Sequence, residues 1–137
     1  MRFILTSATM VLALTAPAAQ ARSEAMWQPE RVMVAERAGL DAKAMRVVLI
    51  KAGSRRNWMV QSDQPGELQL KQSRGGKHEA TVKITYDARG YQLIYADSYN
   101  LNVDAERSHI HPTYNMWLRN LNGDIQAELA LYNLGAP

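Results

Sequence analysis

One stretch, Tyr95 to Trp117, gathers most of the side chains equipped for chemistry. Its tyrosines offer stacking area and hydroxyls, its serine and asparagines offer oriented hydrogen bonds, and its histidines change charge near neutral pH. The expected ligand- or partner-binding surface is Tyr95, Ser98, Asn100, His111, Tyr114 and Asn115. The same residues also admit a structural use. Ser98 and Asn100 can cap turns, His111 can cap a helix, and Tyr114 and Trp117 can sit in a core.

Other chemistries fit the stretch less well. His109-x-His111 places two imidazoles on one side of an extended segment, which makes a periplasmic copper- or zinc-binding protein the alternative reading. A structural zinc site wants four protein ligands, so His78 would have to be a third and Met116 a soft fourth. A hydrolytic triad of Ser98, His111 and Asp97 fails on geometry, because adjacent strand residues face opposite ways and no nucleophile elbow surrounds Ser98. Asp104 and Glu106 lack an apolar pocket to raise either carboxyl toward neutrality. Gly75-Gly76 joins two strands rather than a strand and a helix, so it is no phosphate loop. The sequence thus points to a domain without catalytic residues, metal or cofactor.

The elements that must position this stretch can be read from periodicity. Asp41 suits a helix N-cap, and Met45, Val48, Leu49 and Ala52 then recur at helical spacing as far as about Ser54. Four strand patterns follow, at Asn57–Ser62, Glu67–Gln72, His78–Tyr86 and Tyr91–Asp97. Asp63-Gln64-Pro65-Gly66, Ser73-Arg74-Gly75-Gly76 and Asp87-Ala88-Arg89-Gly90 turn the chain between them. Short connections imply antiparallel neighbours, and the alternation leaves one apolar face to be covered. A last helix starts at Pro112 and carries Tyr114, Trp117, Leu118, Leu121, Ile125, Leu129 and Tyr132 on one stripe. Gly123 within it predicts a kink or a frayed turn. The expected fold is α+β: a four-stranded antiparallel meander with an N-terminal and a C-terminal helix on one face, in the order α-β-β-β-β-α.

The beginning of the chain reads as an address. Arg2, an apolar run from Phe3 to Ala16 and the small-x-small site Ala19-Gln20-Ala21 have the order of a secretory signal peptide. Cleavage after Ala21 predicts a periplasmic protein beginning at Arg22. Residues 22–40 would form an arm, with one short strand near Val32, and residues 41–134 a single domain. The chain holds no cysteine, which excludes disulfides, thiolate metal sites, a cysteine nucleophile and a lipid-attachment cysteine. No run after the leader approaches the ~20 apolar residues of a membrane span. The net charge of +3 is mild and does not suit a nucleic-acid binder. Part of it is local: Lys43, Arg46, Lys51, Arg55 and Arg56 fall in one short segment, either a solvated helix face or a patch for anionic lipid or polymer.

Several of these residues also form a pattern. Arg56-Asn57-Trp58 leads into His78-x-Ala80-x-Val82-x-Ile84-x-Tyr86. Tyr91-x-Leu93-x-Tyr95-x-Asp97-Ser98-x-Asn100-Leu101, Ile110-His111-x-x-Tyr114-Asn115-x-Trp117 and Leu121-x-x-x-Ile125 follow. Over Asp41 to Leu131 this resembles a family of small bacterial exported proteins and lipoproteins with no assigned activity. The serine-asparagine and His-x-x-Tyr-Asn parts are its most specific elements. The chain departs from the pattern in lacking the lipid-attachment cysteine and in placing Asn57 where glycine is expected. The resemblance implies an exported α/β domain, and it carries no activity and no catalytic residue. The binding of an envelope protein or a small ligand is the expectation drawn from the Tyr95–Asn115 residues themselves.

Overall fold

The computed structural model describes residues 22–135, and the expected leader lies outside them. In chain order the elements are β1 (Glu24–Ala25), β2 (Val32–Met33), α1 (Ala42–Ser54), β3 (Met59–Gln64), β4 (Glu67–Arg74), β5 (His78–Asp87), β6 (Gly90–Tyr99), β7 (His109–Ile110) and α2 (Pro112–Gly135). The fold is α+β.

Asp41 starts α1 as its sequence suggests, its carboxylate accepting the Ala44 N–H at 2.8 Å. The helix stops through Asn57, whose φ of +64° is left-handed. Trp58 N–H donates to Gly53 O at 3.0 Å and Asn57 N–H donates to Ser54 O at 3.3 Å. Those paired bonds satisfy the last carbonyls and turn the chain into β3. Gly53 has a packing role, since a Cβ there would lie 2.9 Å from Leu70 Cδ1.

Strands β3 to β6 form the expected meander, but the expectation of a four-stranded sheet is corrected. Val32 and Met33 pair with Tyr91 and Gly90, giving a five-stranded antiparallel sheet in the order β2-β6-β5-β4-β3. A separate two-stranded sheet joins β1 to β7, with Glu24 opposite Ile110. The arm is therefore tied down at two places. Two-residue pairings are too short to carry a periodicity, so only their partners define them.

The apolar face of the sheet meets both helices. Leu68, Leu70, Ala80, Val82, Ile84, Tyr91 and Leu93 form one core with Met45 and Leu49 of α1 and with Tyr114, Leu118, Leu121 and Ile125 of α2. The second helix is one continuous element through Asn122-Gly123, as its in-phase stripe implies. The basic segment is largely consumed inside the molecule: Arg46 pairs with Asp63, Arg55 with Glu128 at 2.7 Å and Arg56 with Asp124 at 2.8 Å. No helix among the described residues is long and apolar enough to cross a membrane.

Register matters most where β5 begins and β6 ends. Thr81 faces Asp97 while Val82 faces Tyr95, so Ala96 is an extra residue in β6. The bulge resets the alternation. Ser98 stands opposite the buried Ala80, on the same face as Tyr95, and Asp97 is exposed.

Candidate functional site

The six residues expected to form a surface occupy the junction of β6, β7 and α2, and the structure divides them into three groups. Tyr95, Ser98 and Tyr114 meet first. The Tyr95 hydroxyl lies 2.7 Å from Ser98 Oγ, and the two tyrosine rings meet edge to face at 5.6 Å. Tyr114 is fully buried, and its hydroxyl has no hydrogen-bond partner among the described residues. Burial, reinforced by neighbouring Tyr95, pushes that hydroxyl well above the ordinary tyrosine range.

Asn100 and His111 form the second group, together with His78. His78 Nδ1 donates to Asn100 O at 2.9 Å, and the His78 and His111 rings stack at 6.0 Å between centroids. His111 Nδ1 accepts the Thr113 N–H at 3.1 Å and so caps α2. Asn100 holds a left-handed φ of +56° and donates its side-chain amide to Lys77 O at 2.9 Å.

Asn115 stands alone as the third. It is 2 % exposed, accepts Trp27 N–H at 2.8 Å, and donates at 2.8 Å to both Glu24 Oε1 and Ala25 O. Three bonds from one buried amide tie the arm to α2. Thus Ser98 Oγ, the Asn100 amide nitrogen, His111 Nδ1 and the whole Asn115 amide are engaged by the protein itself.

The two histidines of the metal alternative do not share a partner. His109 Nδ1 lies 3.0 Å from Ser108 Oγ and 3.3 Å from Asp104 Oδ2, while His111 stacks on His78. No group of three or more His, Cys, Asp or Glu side chains is placed to hold a metal ion among the described residues. Asp104 instead organises its own loop, accepting the Ser108 hydroxyl at 2.6 Å and the His109 N–H at 3.1 Å. Those bonds, the Ser108 hydroxyl foremost, hold its carboxyl well below the usual carboxylate range.

An open cleft of about 310 Å³ lies beside this junction, between Met26–Glu30 of the arm and Gln92–Tyr95 of β6. Arg107 stands at one end with its guanidinium carbon 5.2 Å from the Tyr95 ring centroid, and Gln28 Nε2 donates to its carbonyl at 3.3 Å. Its φ of +55° is left-handed, a conformation that disfavours arginine. Of the six expected residues, Tyr95 lines the cleft. Sequence reasoning assigned neither the arm nor Arg107 to a site. The available signal was Met26-Trp27, two large apolar residues in a segment otherwise polar.

No family model, no curated protein and no solved structure matches the chain significantly.

Proposed function

We propose that this protein is a non-enzymatic, exported binding domain of the bacterial periplasm that takes a small ligand, or a short segment of an envelope partner, in the cleft between the arm and β6. The observation that carries the reading is Arg107. Its guanidinium rests on Tyr95 at the mouth of an apolar cleft, on a backbone that glycine would adopt at lower cost. Export is supported by the order of parts in residues 1–21, and the exported-family resemblance over Asp41–Leu131 points the same way.

A non-enzymatic role is supported by how the reactive groups are used. Ser98 Oγ is bonded to Tyr95 and His111 Nδ1 caps a helix, and among the described residues no hydrogen bond joins Ser98 to His111 as nucleophile and base. The test is a nuclear magnetic resonance titration of the protein with a mixture of small soluble fragments, acidic, basic and neutral. Saturable shifts at the amides of Trp27, Leu93, Tyr95 and Arg107 are expected. Shifts confined to His109 and His111, above all on adding copper or zinc, would replace this reading with the metal-binding one.

A further inference from the structure

Four consecutive strand residues, Gln92 to Tyr95, line the cleft. Side chains alternate between the faces of a strand, so a cavity touches four in a row only if it approaches the strand from its edge. That edge is unfilled by β2, whose pairing stops at Val32 opposite Tyr91. Val34 N–H donates to Arg89 O at 2.8 Å, which fixes the direction of the main-chain groups. From Arg89 onward, alternate residues turn their N–H and C=O toward the β2 side, so Leu93 and Tyr95 present theirs to the cleft. Among the described residues no hydrogen bond reaches those groups from the arm.

The cleft is also electrically polar along its length. Glu30 lines it beside Pro29, whose carbonyl oxygen accepts from Gln92 Nε2 at 3.5 Å, and Arg107 lies over Tyr95 at the opposite end. Neither Glu30 nor Arg107 forms a salt bridge among the described residues. From Gln92 to Tyr95 the strand rises by about 10 Å, which is the reach of an extended tripeptide.

We infer that the cleft receives a short peptide with free ends, added as a strand parallel to β6, its α-amine at Glu30 and its α-carboxylate at Arg107. Leu93 and Tyr95 supply main-chain hydrogen bonds that are indifferent to peptide sequence, and the two charged ends set direction and length. The guanidinium recognises a terminal carboxylate, which accounts for an arginine at a left-handed position. The inference rests on the reading of the cleft as the binding site.

The probe is the tripeptide Ala-Leu-Ala, compared with its N-acetyl and C-amide forms, by calorimetry and by amide exchange. The free-ended peptide is expected to bind saturably and to slow exchange at Leu93 and Tyr95. Acetylation and amidation should each weaken binding about tenfold. Arg107→Gly should remove the penalty of amidation while leaving the melting temperature unchanged or higher, and Glu30→Gln should remove the penalty of acetylation. Equal binding of free and capped forms, or binding without protection of Leu93 and Tyr95, overturns the inference. If the fragment mixture shifts the cleft and the tripeptide does not bind, the peptide inference falls and the cleft reading stands. If neither binds, both fall.

Discussion

Asn115 Oδ1 accepts the main-chain N–H of Trp27 at 2.8 Å, joining the second helix to a segment 88 residues earlier. The same amide donates to Glu24 and Ala25, so one buried side chain adds a third tie, between the two strand pairings of the arm, beside the wall of the cleft. Asn115→Ala leaves the half-buried Trp27 N–H and Ala25 O without their partner. The expected loss is about 2 kcal/mol in chemical denaturation. Amide exchange at Met26 and Trp27 should accelerate more than exchange in β4 and β5. Uniform acceleration would mean that the arm and the core unfold together.

Asn57 ends the first helix with a left-handed φ of +64°. Asparagine tolerates the left-handed region better than other side-chain-bearing residues, and glycine tolerates it best. Asn57→Gly should raise stability by roughly 0.5 kcal/mol or leave it unchanged, and Asn57→Val should lower it by about 1–2 kcal/mol, both read from denaturation midpoints. A valine variant as stable as the parent would show that the helix stop does not depend on this residue.

Much of the fold could be read in the sequence because its elements are long enough to repeat. The Ala80-Val82-Ile84-Tyr86 alternation and the Met45-Val48-Leu49-Ala52 stripe are all buried where the pattern put them. The pairings of Val32 with Tyr91 and of Glu24 with Ile110 were not legible, because two residues have no period. Nor was the direction of Ser98. Plain alternation from Tyr91, Leu93 and Tyr95 would have turned Asp97 to the core face and Ser98 away from it. The extra residue Ala96 reverses this, and alanine carries no bulge signal. The candidate site was half legible. The sequence located the Tyr95–Asn115 neighbourhood, but the cleft depends on an arm that approaches only through tertiary contacts.

Removing Ala96 should therefore be tolerated. Without it the ladder closes over the bulge, and Tyr95 stays opposite Val82, Asp97 opposite Thr81 and Ser98 opposite Ala80. Every side chain keeps its face, so the stability read from a denaturation midpoint should change by no more than about 1 kcal/mol. A larger loss would mean that the bend the bulge gives β6 is itself needed to seat Tyr95 and Ser98.

Two buried tyrosines predict opposite responses to loss of a hydroxyl. Tyr91 donates to Asn122 Oδ1 at 2.6 Å, so Tyr91→Phe strands the asparagine oxygen and should cost about 1 kcal/mol. The Tyr114 hydroxyl is buried without a partner, so Tyr114→Phe should gain about 1 kcal/mol at neutral pH. Burial raises the Tyr91 hydroxyl from 10.0 to about 12. A raised value means that folding favours the protonated form. Its contribution is complete below pH ~10 and disappears as the pH climbs through about 12. Alkaline unfolding should thus be less steep for both phenylalanine variants, as followed by circular dichroism against pH.

Asp104 sets the acid side of the profile. Its carboxylate accepts from Ser108 and His109, and its titration lies well below 3.8, its ordinary value. A depressed value means that folding favours the ionised form. The stabilising contribution is present above about pH 4 and is lost as the pH falls from there through the lowered folded value. Asp104→Asn keeps the shape but gives up the charge on which those bonds depend. The variant should be less stable than the parent at pH 7, and the difference should shrink steadily as the solution is acidified below pH 4. Because the same loop carries Arg107, loosening it should also weaken ligand binding at neutral pH. A variant that loses stability yet keeps full affinity would separate the Asp104 turn from the placement of Arg107, leaving the Gln28 bond to hold its main chain and the Tyr95 ring to hold its guanidinium.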